Sequence, residues 1–403
     1  MTAPRQESRE WLVLLALAGV QFSQIVDFMV LMPLGTQLMR QFEISPTQLG
    51  FLVSIYTVTA GLSGFFSAFV VDRFDRKTVL LATLGCFAAT MLACALAQSY
   101  PGLLAARAVA GAFGGVIAAN IYTIVGDVVP ECRRGRAFGA VMSAFSIASI
   151  AGVPISLYLA LYFTWRAPYL FLAVLCIAIL LTSWFAIPPV RAHLEAGREE
   201  GMLAQLRAVF GRPNHLRIFS FSALLIFSGF LLFPFIAPYL VANVGVSEGE
   251  LPAVYLIAGL ASLAAARWVG GLSDRVGRRR VFAAAAVSMA FSALLMTSLP
   301  RSPLAVAVFV SMLMFSTSSA RMVPAMALVT SGAEPRLRGS VMSFNSSIQQ
   351  LAAGLASFVA SVIIGRSAEG ALTNYWAVGI VSAAGTLACI ALARRIRSAE
   401  AAT

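Results

Sequence analysis

Charge is scarce in this chain of 403 residues: Asp, Glu, Lys and Arg make up only 11% of it, against 59% hydrophobic residues. A soluble chain carries roughly 25% charged residues. One this poor in charge cannot cover its core in water, so lipid must be the solvent for much of it. Histidine is nearly absent too. His193 and His215 both lie in one polar stretch near the middle, which leaves almost no material for a histidine relay or a metal site. The five cysteines (Cys86, Cys94, Cys132, Cys176 and Cys389) contain no C-x-x-C pair and read as small packing residues. No Ser-His-Asp set, paired carboxylates or metal cluster is present, which argues against an enzyme. No phosphate-binding loop ending in Gly-Lys-Ser/Thr occurs, which argues against an ATP-driven pump.

What the chain does have is apolar length. A spanning helix needs roughly 20 mostly apolar residues, and twelve stretches qualify: 11–34, 48–71, 78–97, 101–126, 135–161, 167–187, 217–243, 250–272, 279–299, 303–330, 338–364 and 373–396. The first is too long for a cleaved signal segment and reads as a retained span. The net charge of +12 is distributed for a membrane, not for nucleic acid. With twelve spans, 22 of the 29 Lys and Arg fall on the side of the chain termini and four on the other side (Arg40, Arg166, Arg301 and Arg366); three lie within spans (Arg107, Arg267 and Arg321). Basic loops stay in the cytoplasm, so both termini are expected there, in a bacterial inner membrane.

The two halves repeat. Asp72-Arg73-Phe74-Asp75-Arg76-Lys77 follows the second span, and Asp274-Arg275-Val276-Gly277-Arg278-Arg279 follows the eighth, an offset of 202. Gly139-Ala140-Val141-Met142-Ser143 opens the fifth span and Gly339-Ser340-Val341-Met342-Ser343 the eleventh, an offset of 200. Two matches at nearly one spacing imply duplication of a six-helix unit, as in transporter folds. The expected division is an N-terminal bundle over 1–187, a polar cytoplasmic linker over 188–216 with a short amphipathic helix at 202–210, and a C-terminal bundle over 217–403.

These residues resemble the major facilitator superfamily over essentially the whole chain, and within it the twelve-helix drug:proton antiporters and sugar-efflux-like permeases. The resemblance implies an all-α polytopic membrane protein with two pseudo-symmetric six-helix bundles. The family's G-x-x-x-D-R-x-G-R-[KR] loop is complete in the second half, from Gly270 to Arg279. The first copy has Ala68 and Asp75 where the family has Gly. In the family this loop is a latch that holds the outward-open state. By that resemblance Arg76 would pair with Asp127 near the end of helix 4, and Asp72 would face the start of helix 11 near Gly339. Arg73, Asp274, Arg275 and Arg278 complete the two copies, but Ser331 stands where the second half would need an acid. Leu103 to Gly111, with Arg107, resembles the family's arginine motif of helix 4. Gly152 and Pro154, separated by Val153, resemble the Gly-Pro segment of efflux families, where a helix can bend.

Asp27 is the only acid deep within a predicted span. At 1.5 Å per residue it lies roughly 24 Å along the first helix, a depth that Arg107 also reaches from the outside. Burial and a nearby arginine pull a carboxyl in opposite directions, which suits a proton carrier. Asp27 is expected to carry the proton and Arg107 to tune it; a structural hydrogen-bond hub and a direct contact for a cationic substrate are the alternatives. Gln24, Tyr56, Asn120, Tyr122, Phe230, Phe233, Arg321, Asn345 and Gln349 are the candidate cavity residues. Arg321 has no obvious acidic partner and either meets an anionic substrate or points to cytoplasmic water. Two prolines in the seventh span, Pro234 and Pro238, suit a gate.

The expected function is proton-coupled export of small lipophilic or amphipathic compounds by alternating access. Efflux or uptake of one metabolite, such as a sugar or amino acid, is the rival, and a membrane receptor or enzyme the reading from another class. The expected partners are a small-molecule substrate, protons and the bilayer, with no nucleic acid. No cofactor is expected, the proton gradient being the energy source, and the chain is expected to act as a monomer.

Overall fold

The computed structural model describes residues 3–70, 73–129, 131–190, 202–334 and 337–397. Among them twelve helices are long and apolar enough to cross a membrane: α1 Glu10–Val30, α2 Pro46–Ser67, α3 Arg76–Leu96, α4 Tyr100–Val128, α5 Gly139–Tyr162, α6 Ala167–Ala186, α7 Pro213–Val244, α8 Leu251–Val276, α9 Arg278–Thr297, α10 Leu304–Gly332, α11 Arg338–Ile363 and α12 Tyr375–Arg395. Inside lipid every backbone N–H and C=O needs an internal partner, so apolar runs of this length become helices. Their ends follow local chemistry. The Asp75 side chain caps α3 by accepting from Lys77 N at 3.0 Å, and Ser99 caps α4 by accepting from Gly102 N. The turn between α8 and α9 is made by Gly277 at φ 103°, a conformation that glycine adopts without strain. The first helix stops at Val30, short of the expected residue 34, because the chain turns around Pro33.

Twelve spans bring both ends of the chain to one side, called here the terminal side; the other is the distal side. A short helix, Gly35–Gln41, and a two-stranded hairpin, Gly365–Arg366 with Leu372–Thr373, lie on the distal side. The helix Met202–Phe210 precedes α7 on the terminal side. Helix α2 packs along α11 through small residues. A side chain on Gly61 would collide with Leu351, and one on Gly354 with Thr57 and Val58. Ser54 Oγ donates to Gly354 O at 2.8 Å and Thr47 Oγ1 to Ser361 O at 3.0 Å.

The distal side is shut. Arg40 Nη2 and Glu248 Oε2 form an ion pair at 3.0 Å between the first six helices and the last six, and Gly35 abuts Pro238. Nearby, Glu250 accepts from the Ser247 N–H and hydroxyl, which holds its carboxyl below the usual range. On the terminal side α5 and α8 part: α8 packs against α5 from Ala148 outward. That junction is a π-turn, Ala148–Gly152, and α7 ends in another, Leu240–Val244. Turns of this kind inside helices cluster at functional sites.

Candidate functional site

One of the ion pairs within the first six helices is completely enclosed. Arg107 Nη1 of α4 meets Asp27 Oδ1 of α1 at 2.5 Å, and neither side chain has any exposed surface. Helical spacing puts Gln24 and Asp27 on one face of α1. On α4 the same spacing aligns Arg107 with Gly111 and Gly114, and these glycines let α2 come close. A Cβ on Gly114 would come within 2.9 Å of the Tyr56 hydroxyl, and Gln24 Nε2 donates to Gly114 O at 2.7 Å. The Tyr56 ring lies under the Arg107 guanidinium, 4.3 Å from its carbon, a favourable cation–π arrangement. Cys94 of α3 and Tyr169 of α6 stand within electrostatic reach of the guanidinium, and Tyr169 is fully enclosed. Sequence reasoning missed both, because nothing in their spacing marks them. Asp27 Oδ2 and the Arg107 Nε and Nη2 atoms have no hydrogen-bond partner among the described residues. The pair is therefore charge-balanced but incompletely bonded by the described residues.

Aromatic rings connect this pair to the other half of the chain. Tyr56 stacks on Phe28 at 5.9 Å, Phe28 meets Phe230 of α7 at 5.5 Å, and the row continues through Phe233 and Phe315 to Tyr255. Phe230 and Phe233 thus belong to a ring row that runs from α2 to α8.

The π-turn of α5 touches the same region. A side chain on Gly152 would collide with Val26, the neighbour of Asp27, and Pro154 opens the distal segment of α5 just beyond it.

At the terminal side Arg76 Nη1 pairs with Asp127 Oδ2 at 2.8 Å. Both residues belong to the first six helices, as the resemblance implied for this pair, while the expected contact of the loop with the start of α11 turns on Asp72. Asp72 lies outside the described residues, and Arg73 and Gly339 are exposed. Asp75, the departure from the family's glycine, caps α3 and also accepts from Val190 N at 3.1 Å. The second copy is built differently. Asp274, Arg275 and Arg278 are exposed and form no ion pair among the described residues. Ser331 turns back on Leu328 O, and the nearby Glu334 pairs instead with Arg212 at 3.4 Å.

The cavity candidates separate. Tyr122 lines a narrow cleft between α2, α4 and α11 with Ala60, Gly64, Gly115, Ser347 and Gln350. Asn120 does not join it: it is buried, and its amide donates to Arg76 O at 2.9 Å. Asn345 and Gln349 are not among the residues lining that cleft; Asn345 Oδ1 and Gln349 Nε2 are buried without hydrogen-bond partners among the described residues. Arg321 meets neither an acid nor open water. Its Nη1 donates to Ser228 Oγ and Thr386 Oγ1, both at 2.9 Å, and its Nη2 to Leu225 O at 3.1 Å. No group of three or more metal-binding side chains occurs among the described residues.

The family model of the Major Facilitator Superfamily matches residues 17–357 and 218–403. The chain belongs to the Major Facilitator Superfamily. As a member it is a multi-pass membrane transporter and not an enzyme. It is 26% identical over 382 residues, 93% of this chain and 90% of the relative, to "Uncharacterized MFS-type transporter YwfA" of Bacillus subtilis (strain 168). It is 28% identical over 226 residues, 56% of this chain and 57% of the relative, to "Chloramphenicol resistance protein" of Streptomyces lividans. Among solved structures it superposes on a D-xylose-proton symporter with a TM-score of 0.77 at 17% identity, over 97% of this chain and 98% of that one. That likeness concerns the fold.

Proposed function

We propose that this superfamily member exports small lipophilic or amphipathic compounds, driven by protons that bind Asp27. The single observation that carries the reading is the enclosed Asp27–Arg107 pair, held at 2.5 Å over the Tyr56 ring. An ionisable residue within the membrane is costly and is generally kept for function. Protonating Asp27 removes the charge that holds Arg107, and the Tyr56–Phe28–Phe230 row carries the change to the second half. The halves then rock about the membrane centre. The basic loops put both termini in the cytoplasm, so the structure, shut on its distal side, faces inward. The match to a chloramphenicol resistance protein supports drug-like cargo. The chain acts as a monomer with no cofactor.

The test is efflux of fluorescent amphipathic dyes, anionic and cationic, from cells expressing the wild type or Asp27→Asn, with and without a protonophore. Dye extrusion that both the mutation and the protonophore stop supports the reading. Extrusion indifferent to both removes proton coupling. No extrusion of either dye class removes the drug-export label and turns the search to a single metabolite.

A further inference from the structure

Arg321 is a cation with nothing negative beside it. Its side chain is 4% exposed, and its contacts are two hydroxyls and one carbonyl. A guanidinium has five N–H groups; three are used here, and Nε has no partner among the described residues. A buried charge without a counter-charge is expensive in a membrane interior, so its retention calls for a reason.

The repeat supplies one. The offset of 202 between the two loop motifs places Phe28 against Phe230, and these two rings touch where the halves meet. The same offset takes Asp27 to Gly229. In the first half that position holds a carboxylate bonded to an arginine. In the second half it holds no side chain, and Arg321 Nη2 lies 3.0 Å from where a Cβ would stand. Arg321 reaches this level from the terminal side, as Arg107 reaches Asp27 from the distal side. The next atom near a Cβ at Gly229 belongs to Phe233, at 3.8 Å, so the absent side chain lies between the guanidinium and the aromatic row. The second half thus lacks the carboxylate at this position and brings its buried arginine there from a different place on its helix, the offset taking Arg107 to Phe309.

We infer that the transported compound supplies the missing anion: the cargo is an apolar, aromatic monoanion whose negative group docks on Arg321 beside Gly229 while its body lies along Phe230 and Phe233. This rests on the export reading and narrows it to one charge class. Ser228 and Thr386 hold the guanidinium in place, and Nε with the spare Nη2 hydrogen receives the anion. The uncharged surroundings favour binding, because a hydrogen bond to a charged group is stronger where no water competes.

The experiment uses purified full-length protein and three matched probes: pyrenebutyrate, its neutral amide and pyrenebutylamine. Thermal unfolding in detergent reads binding, and proteoliposomes with an imposed pH gradient read transport. The wild type is expected to bind and move the anion about tenfold better than the amide, and the amine worst, the tenfold being a single charge-assisted contact. Arg321→Gln should remove the preference for the anion, and Arg321→Lys should keep part of it. Gly229→Ala keeps the charge of Arg321 but sets a methyl 3.0 Å from its Nη2, and should weaken the anion by crowding the guanidinium. A wild type that prefers the amine or the amide overturns the inference without reference to any variant, as does an anion preference that survives both Arg321→Gln and Gly229→Ala. If amine transport instead requires Asp27 and the proton gradient, the export reading stands while the anion inference falls. If no probe responds to the gradient or to Asp27→Asn, the export reading itself falls.

Discussion

The two halves of this transporter each bury one arginine among hydrocarbon, and they satisfy it differently. In the first half Arg107 has a carboxylate at 2.5 Å and an aromatic ring beneath it. In the second half Arg321 has only Ser228, Thr386 and the Leu225 carbonyl. The two sites therefore depend on different things. The first is complete as charge and is disturbed by adding a proton. The second is incomplete as charge and is disturbed by adding an anion. On the proposed reading the duplicated scaffold divides two tasks, energy coupling and cargo recognition, between its halves, at positions the repeat does not make equivalent, since the offset of 202 takes Arg107 to Phe309.

Stability gives the largest expected break in this comparison. Removing Arg107 strands a buried carboxylate, and truncating one partner of such a pair costs about 3–5 kcal/mol. Arg107→Leu should therefore unfold far more readily in detergent than the wild type. Arg321→Leu leaves only neutral groups behind, one of them, Ser228 Oγ, already bonded to Leu225 O, so about 1–2 kcal/mol is expected. Equal losses for the two variants would mean that Arg321 has a charged partner after all. The double variant Asp27→Asn with Arg107→Leu should recover much of the Arg107→Leu loss, because no lone charge remains.

The terminal loops sharpen the contrast at a smaller scale. Arg76→Ala removes a partly buried pair with Asp127 and should slow transport several-fold. Arg278→Ala, at the matching place, should change little, since no acid among the described residues faces it. Transport rates of the two variants in vesicles check this, and equal slowing would place a hidden partner beside Arg278. The matching backbone positions differ as well. Asp75→Gly should lose about 1 kcal/mol of helix capping, and Gly277→Asp should lose a similar amount to its positive φ; thermal unfolding measures both. The smallest effect belongs to the distal side. The Arg40 side chain is 70% exposed and that of Glu248 20%, so the pair contributes at most about 1 kcal/mol and weakens with salt. Arg40→Gln should shift the open-to-shut balance of the distal side only slightly, as read by the distance between spin labels placed across it.

The sequence made the spans plain, because lipid imposes long apolar runs and the basic loops repeat at every second turn of the chain. Asp27 and Arg107 also stood out, since charge within such runs is rare. What stayed hidden depends on contacts between helices. Asn120 looked like a cavity amide, but it serves the Arg76 carbonyl, which no spacing rule reveals. Asp75 stood out only as a departure from the family's glycine; in the fold it caps α3 and holds Val190. The ring row from Tyr56 to Tyr255 draws on α1, α2, α7, α8 and α10, so no local pattern announces it. The correspondence of Asp27 with Gly229 was available from the repeat offset, but it acquired meaning only when Arg321 was found at the gap.

The most direct test of the account is proton-driven accumulation set against simple exchange in the same proteoliposomes, for the wild type and Asp27→Asn, with pyrenebutyrate as cargo. If Asp27 carries the proton, the variant still exchanges probe across the membrane with no gradient imposed but no longer accumulates it when a pH gradient is applied. If Asp27→Asn accumulates the probe as the wild type does, the carboxylate is structural and the coupling site lies elsewhere.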